Sequence, residues 1–161
     1  MSAKGTIILC VGNRLVESDN VGPLVYDCLA RRNMPEDVSL IDGGLMGLDL
    51  LRFVEGARRV VFVDALHGYA PQGRPVVLDR STALEERPMA YGHKDGLAYL
   101  LRMLPAVCGG DLPEIALVGA ESPIEPDNVE RLANIALSIA TGDRYEWGRD
   151  TAIDAVQPGT P

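Results

Sequence analysis

The chain has 161 residues, of which 47% are hydrophobic and 24% charged, with 15 Lys and Arg against 23 Asp and Glu for a net charge of -8. That balance fits one globular domain and excludes a chain too polar to build a core. No apolar run approaches the roughly 20 residues of a membrane-spanning helix, and the acidic charge offers no general attraction to phosphate backbones or anionic lipid, so neither membrane insertion nor nucleic-acid binding is expected.

Residues 1–5 lead directly into an apolar segment without the small-residue cleavage site of a secretory leader, and a cytoplasmic address is expected. Thr6–Val11 is a continuous apolar run closed by Gly12-Asn13, which predicts a strand covered on both faces. Val21, Leu24, Val25, Cys28 and Leu29 then recur at helical spacing. Pro23 is admissible in a first turn and Asn33 with Pro35 supplies the stop, so a helix is predicted over about residues 20–32. Residues 38–41 read as a second strand ended by Asp42-Gly43-Gly44, and residues 48–55 as a helix running into Gly56. The buried-strand pattern returns at Val60-Val61-Phe62-Val63 and stops at Asp64. Residues 75–78 read as a strand, 96–104 as a helix, and 115–118 as a buried strand closed by Gly119. After Pro126-Asp127, a last helix carries Val129, Leu132, Ile135, Ala136 and Ile139 along one face, with Asp127 or Asn128 near its capping turn.

Apolar strands alternating with amphipathic helices are the pattern of a parallel sheet wound on both faces. The expected fold class is α/β, a single doubly wound domain with a mostly parallel sheet over residues 1–140. Beyond it, residues 141–161 lose the periodic pattern and are expected to form a flexible tail whose large anchors are Tyr145 and Trp147. Cys10, Cys28 and Cys108 include no CxxC pair, which argues against a disulfide framework or structural zinc; Cys10 and Cys28 are expected as core thiols.

In open α/β sheets, ligands gather beyond the carboxyl ends of the strands. Asp19 follows the first strand and Asp64 ends the third, while an imidazole is available from His93, in the segment 89–96, or from His67, three residues after Asp64. Two carboxylates and an imidazole from separated segments form a mixed oxygen and nitrogen set suited to a borderline divalent cation. Each residue also has a plainer reading: Asp19 as a helix N-cap, Asp64 as a strand-end turn residue, and a loop histidine as a solvated side chain. There is no GxGxxG after the first strand, no GxxxxGK[ST] and no GxSxG, and neither Ser nor Cys sits in a triad context, which disfavours nucleotide binding and serine or cysteine hydrolysis. A receiver-like domain phosphorylated at Asp64 wants a lysine after a later strand, and Leu117-Val118-Gly119-Ala120-Glu121 supplies none.

Taken jointly and in order, several segments make the chain resemble the nickel-iron hydrogenase maturation endopeptidases over roughly residues 6–140. They are Gly12-Asn13-x-Leu15 with Asp19 and Gly22 following, Ile41-Asp42-Gly43-Gly44, Val61-Phe62-Val63-Asp64-Ala65, the His93 loop before Leu97, and Leu117-Val118-Gly119. The resemblance implies an α/β endopeptidase that removes a short C-terminal extension from the large-subunit precursor of a nickel-iron hydrogenase after nickel insertion. By position it implies Asp19, Asp64 and His93 as the catalytic and metal-contacting set, with nickel supplied by the precursor, and it leaves His67 dispensable. Asp42-Gly43-Gly44 is expected to shape the peptide cleft. Where family members commonly carry two acids and a glycine, this chain has Ser18-Asp19-Asn20; the expected compensations are Glu17 one step earlier or Asn20 in a left-handed turn. The alternative function is a non-catalytic nickel-dependent chaperone or binding module that docks on the large subunit without cutting.

Overall fold

The computed structural model describes residues 5–45, 47–84 and 96–142; His93 and the tail from residue 143, with Tyr145 and Trp147, lie outside them. In chain order the elements are β1 (Thr6–Val11), a 3-10 turn (Glu17–Asp19), α1 (Val21–Ala30), β2 (Val38–Gly44), a second 3-10 turn (Gly47–Leu50) leading into α2 (Leu51–Val54), β3 (Arg59–Ala65), β4 (Val76–Asp79), α3 (Arg80–Leu84), α4 (Gly96–Cys108), β5 (Glu114–Ala120) and α5 (Pro126–Ala140). The five strands are ordered β2-β1-β3-β5-β4. β1 pairs in parallel with β2 and β3, and β3 with β5, while β4 runs antiparallel along β5. Among the described residues, no helix is long and apolar enough to cross a membrane.

The apolar strands are buried on both faces because successive side chains feed two separate cores. Ile8, Cys10, Val61, Val63 and Val118 pack with Val25 and Leu29 of α1 and with Leu132, Ile135 and Ile139 of α5. Their neighbours Leu9, Val11, Val60, Phe62 and Leu117 pack on the other side with Leu50, Val54 and the α4 residues Leu97, Leu100, Leu101 and Leu104. The stripe predicted for the last helix is its buried face, and Pro126 opens that helix at a position where no N–H is needed. Cys10 and Cys28 are core thiols on the α1 side.

α4 runs through Pro105 to Cys108, past the end expected at residue 104. Proline cannot donate the hydrogen bond that a helix would place on the carbonyl four residues earlier, here that of Leu101. That carbonyl instead accepts from Nε of Arg80, 3.0 Å away at the start of α3. The short helix α3 escaped the sequence reading, and this bond is one reason it is there: it brings a cation to the acceptor left over by Pro105.

The junction of β1 with α1 is tightly packed. Gly22, in the first turn of α1, lies so close to the end of β1 that a Cβ would overlap the Val11 carbonyl oxygen. Gly12, with φ at 137°, would bring a Cβ into the carbonyl oxygen of Asp19. Asn20 has φ at -105° and ψ at 8°, so the expected left-handed turn is absent and asparagine stands in the family's glycine position without strain.

Two predictions follow from this packing. Gly22→Ala overpacks a site bounded by backbone and should destabilise the fold by about 1–3 kcal/mol in chemical denaturation. Gly110→Ala, where nothing lies within 4 Å of the added carbon, should change it little. Arg80→Ala orphans the Leu101 carbonyl and should cost about 1–2 kcal/mol, a loss that shrinks in a Pro105→Ala background, where the helix recovers its own donor. Additive losses in that double-mutant cycle would show that Arg80 does not substitute for the missing N–H.

Candidate active site

Asn13, two residues past the end of β1, organises the segment that carries Asp19. Its side-chain Oδ1 accepts from the Leu15 N–H at 3.0 Å, an Asx turn, and its carbonyl accepts from the Val16 N–H at 3.1 Å. Its own N–H is shared between the Asp19 carbonyl, at 2.9 Å, and Asp19 Oδ2, at 3.0 Å. The Asp19 N–H in turn donates to the Val16 carbonyl at 2.9 Å. These bonds close the loop on itself, turn Leu15 outward to 92% exposure and draw Asp19 inward to 5%. Asp19 is therefore the last residue of a 3-10 turn and not a helix cap: the N-cap of α1 is Asn20, which makes no side-chain capping bond.

Asp64 sits one residue from the end of β3, the strand beside β1, and its Oδ1 accepts from the Ala65 N–H at 2.8 Å. On the other side of Asp64, Gly119 of β5 has no room for a Cβ against the Asp64 carbonyl oxygen, so the glycine sets the spacing of the strand ends. β2 contributes the opposite wall. Its register with β1 slips between Cys10 and Val11, from Asp42 to Gly44, which leaves Gly43 as a bulge. Gly44 then adopts φ of 47° while its carbonyl accepts from the Gly12 N–H at 3.0 Å.

Asp19 and Asp64 line a common cavity of about 210 Å³ with Val11, Gly12, Gly44, Leu45, Gly47, Leu50, Leu97 and Leu100. Two carboxylates at the ends of neighbouring parallel strands thus meet in a hollow whose remaining walls are mostly aliphatic. Asp42 is outside this lining; its carboxylate lies 3.9 Å from the Arg14 guanidinium, which also pairs with Asp27 of α1 and so braces the loop from outside. Of Asp42-Gly43-Gly44, expected to shape a peptide cleft, Gly44 lines the cavity and Gly43 falls at the register slip beside it. Leu50, Leu97 and Leu100 escaped the site prediction because an aliphatic wall has the same sequence pattern as a core face.

His67 is half-buried, with Nε2 3.2 Å from the Ser18 carbonyl. His93 precedes the first residue of α4 by three positions, and Leu97 and Leu100 of that helix line the cavity. Among the described residues, no group of three or more His, Cys, Asp and Glu side chains is arranged to hold a metal ion. Nor does a cysteine supply a nucleophile: burial, and after it the charges of Asp42, Asp27 and Asp64, push the Cys10 thiol far above its usual range and keep it protonated. The Cys108 thiol is also raised, by desolvation and then by Glu55.

Known proteins share this arrangement of strands and turns. Residues 23–139 match the family model HycI, described as hydrogenase maturation protease. The hydrogenase expression/formation protein HoxM of Azotobacter vinelandii is 30% identical over 138 residues, covering 81% of this chain and 62% of HoxM. HupD of Bradyrhizobium diazoefficiens, with the same description, is 25% identical over 157 residues, covering 88% of this chain and 79% of HupD. The chain thus spans less than two-thirds of HoxM and about four-fifths of HupD. In three dimensions, the crystal structure of the hydrogenase 3 maturation protease superposes with a TM-score of 0.64 at 27% identity, over 83% of this chain and 90% of that one. The maturating endopeptidase HybD from E. coli gives 0.63 at 26%, over 84% and 88%. With a family match over residues 23–139 and a shared overall fold, this chain belongs to the hydrogenase maturation protease family.

Proposed function

We propose that the protein is an endopeptidase that removes the C-terminal extension of a nickel-iron hydrogenase large-subunit precursor once nickel has been inserted. The observation that carries the proposal is the meeting of Asp19 and Asp64 in one hollow at the ends of β1 and β3, in a chain of this family. Membership supports a processing role in hydrogenase maturation; the cut, the metal and the residue roles are the further content of the proposal.

On this reading nickel arrives as part of the substrate, held by the precursor. Asp19 and Asp64 offer oxygen donors, and His93 the nitrogen that a borderline cation also favours. His93 stands three positions before Gly96, the first residue of α4, and Leu97 and Leu100 of that helix line the cavity. Engaging the precursor's metal fixes the adjacent peptide bond over the cavity, so recognition and orientation become one event. Water then adds to the scissile carbonyl carbon, the C–N bond breaks, and the products are a new C-terminal carboxylate on the subunit and a released peptide with a free amine. The exposed Leu45, at the mouth of the cavity, offers apolar surface to the peptide beside the cut.

Asp19→Asn and Asp64→Asn keep shape while removing charge. Each should lower precursor processing by about 100-fold or more, the scale of losing an electrostatic or orienting group. His93→Ala should do the same, whereas His67→Ala should retain measurable processing; the reverse order would move the imidazole role to His67. Gel analysis of precursor and mature subunit over time reads all four variants.

Purified protein should cleave nickel-loaded precursor and leave nickel-free precursor intact. Equal cleavage of both would remove the metal as the checkpoint. Tight nickel-dependent association without any cut would make the protein a binding module.

A further inference from the structure

We propose that His67 is a positioning residue, one that fixes the Asp19 loop against the end of β3 and thereby sets the placement of the two carboxylates. The inference rests on the endopeptidase reading above and adds to it a residue that the family resemblance leaves dispensable. The bonds made by Asn13 organise the Asp19 loop internally, and Arg14 ties it to α1 and approaches β2. None of these reaches β3. The contact from His67 Nε2 to the Ser18 carbonyl does, at 3.2 Å, and Ser18 is the residue immediately before Asp19.

The base of this tie is itself anchored. The Leu66 N–H donates to the Ala120 carbonyl at 3.0 Å, and the Gly68 N–H donates to Glu121 Oε2 at 3.2 Å, so the residues on both sides of His67 are held to the end of β5. His67 therefore projects from a fixed platform three residues past Asp64 and grips the loop one residue before Asp19. A carbonyl oxygen can only accept, so Nε2 carries the hydrogen in this contact. While the bond stands, that nitrogen has no lone pair to offer a metal, and the ring is committed through it to the Ser18 carbonyl.

The test uses His67→Ala and His67→Gln in the full-length protein, with two readouts. Glutamine places a side-chain N–H about where Nε2 of histidine lies, so it can remake the bond without an imidazole. The first readout is hydrogen exchange at the Asn13 amide, which donates to Asp19. The second is kcat and KM on nickel-loaded precursor. His67→Ala should speed Asn13 exchange and lower kcat about tenfold, the value of one modest hydrogen bond, with KM nearly unchanged. His67→Gln should restore both. Wild-type exchange in His67→Ala, or faster exchange with unaltered kcat, would overturn the proposal. So would a glutamine variant as inactive as His93→Ala, which would make His67 a group touching the metal or the reacting atoms. If the wild-type protein leaves nickel-loaded precursor uncut, the endopeptidase reading fails, and the exchange comparison still decides whether His67 holds the loop.

Discussion

The near-contact of the α1 N-terminus with the end of β1 governs everything that follows from it. Gly22 can sit on the Val11 carbonyl, and Gly12 under the Asp19 carbonyl, only because neither has a side chain. Between them the chain loops out through the exposed residues 14–18 and closes back on Asn13, with Asp19 turned inward. A longer approach between strand and helix would free the loop and return Asp19 to solvent. The same device recurs at β5, where Gly119 lets its strand close on the Asp64 carbonyl. The backbone beside each acid is thus held by a close approach that only glycine permits.

Around the acids the sheet supplies a division of labour. The α1 and α5 side is a filled core, whereas on the opposite side Leu50, Leu97 and Leu100 leave a hollow that reaches the strand ends. The β2 bulge at Gly43 belongs to this asymmetry, since past it Gly44, still bonded to Gly12, and Leu45 form part of the wall. Bulges beside active sites commonly re-aim a strand end in this way.

The elements most legible in the sequence were the strands, because Thr6–Val11, Val60-Val61-Phe62-Val63 and residues 115–118 are buried on both faces and show no polar alternation. Their lengths were underestimated at the carboxyl ends, where β2 continues to Gly44, β3 to Ala65 and β5 to Ala120. Those ends carry Asp, Gly and Ala, residues chosen for the site and poor signals of strand. The antiparallel direction of β4 was not legible, since strand direction depends on partners far along the chain. Continuation of α4 through Pro105 was hidden for a similar reason: the donor that replaces the missing N–H belongs to Arg80, twenty-one residues before the Leu101 carbonyl that it serves. Asp19 and Asp64 were legible as strand-end acids, but the choice between a cap and a cavity-lining acid turned on the Asn13 bonds, which no spacing rule encodes.

The environment of the acids bears on how a metal could license cleavage. Asp19 is buried and shares with the half-buried Asp64 a cavity of otherwise mostly aliphatic lining. On the proposed reading, a precursor carrying nickel covers these carboxylates with a cation and offsets the water they lose. A precursor without it would lay neutral peptide over two anions and strip their hydration with nothing in exchange. The penalty for the wrong substrate is then part of the discrimination, alongside attraction for the right one. On that reading the site needs no resident metal, and a weak affinity of its own would keep the carboxylates available for the ion that the substrate brings.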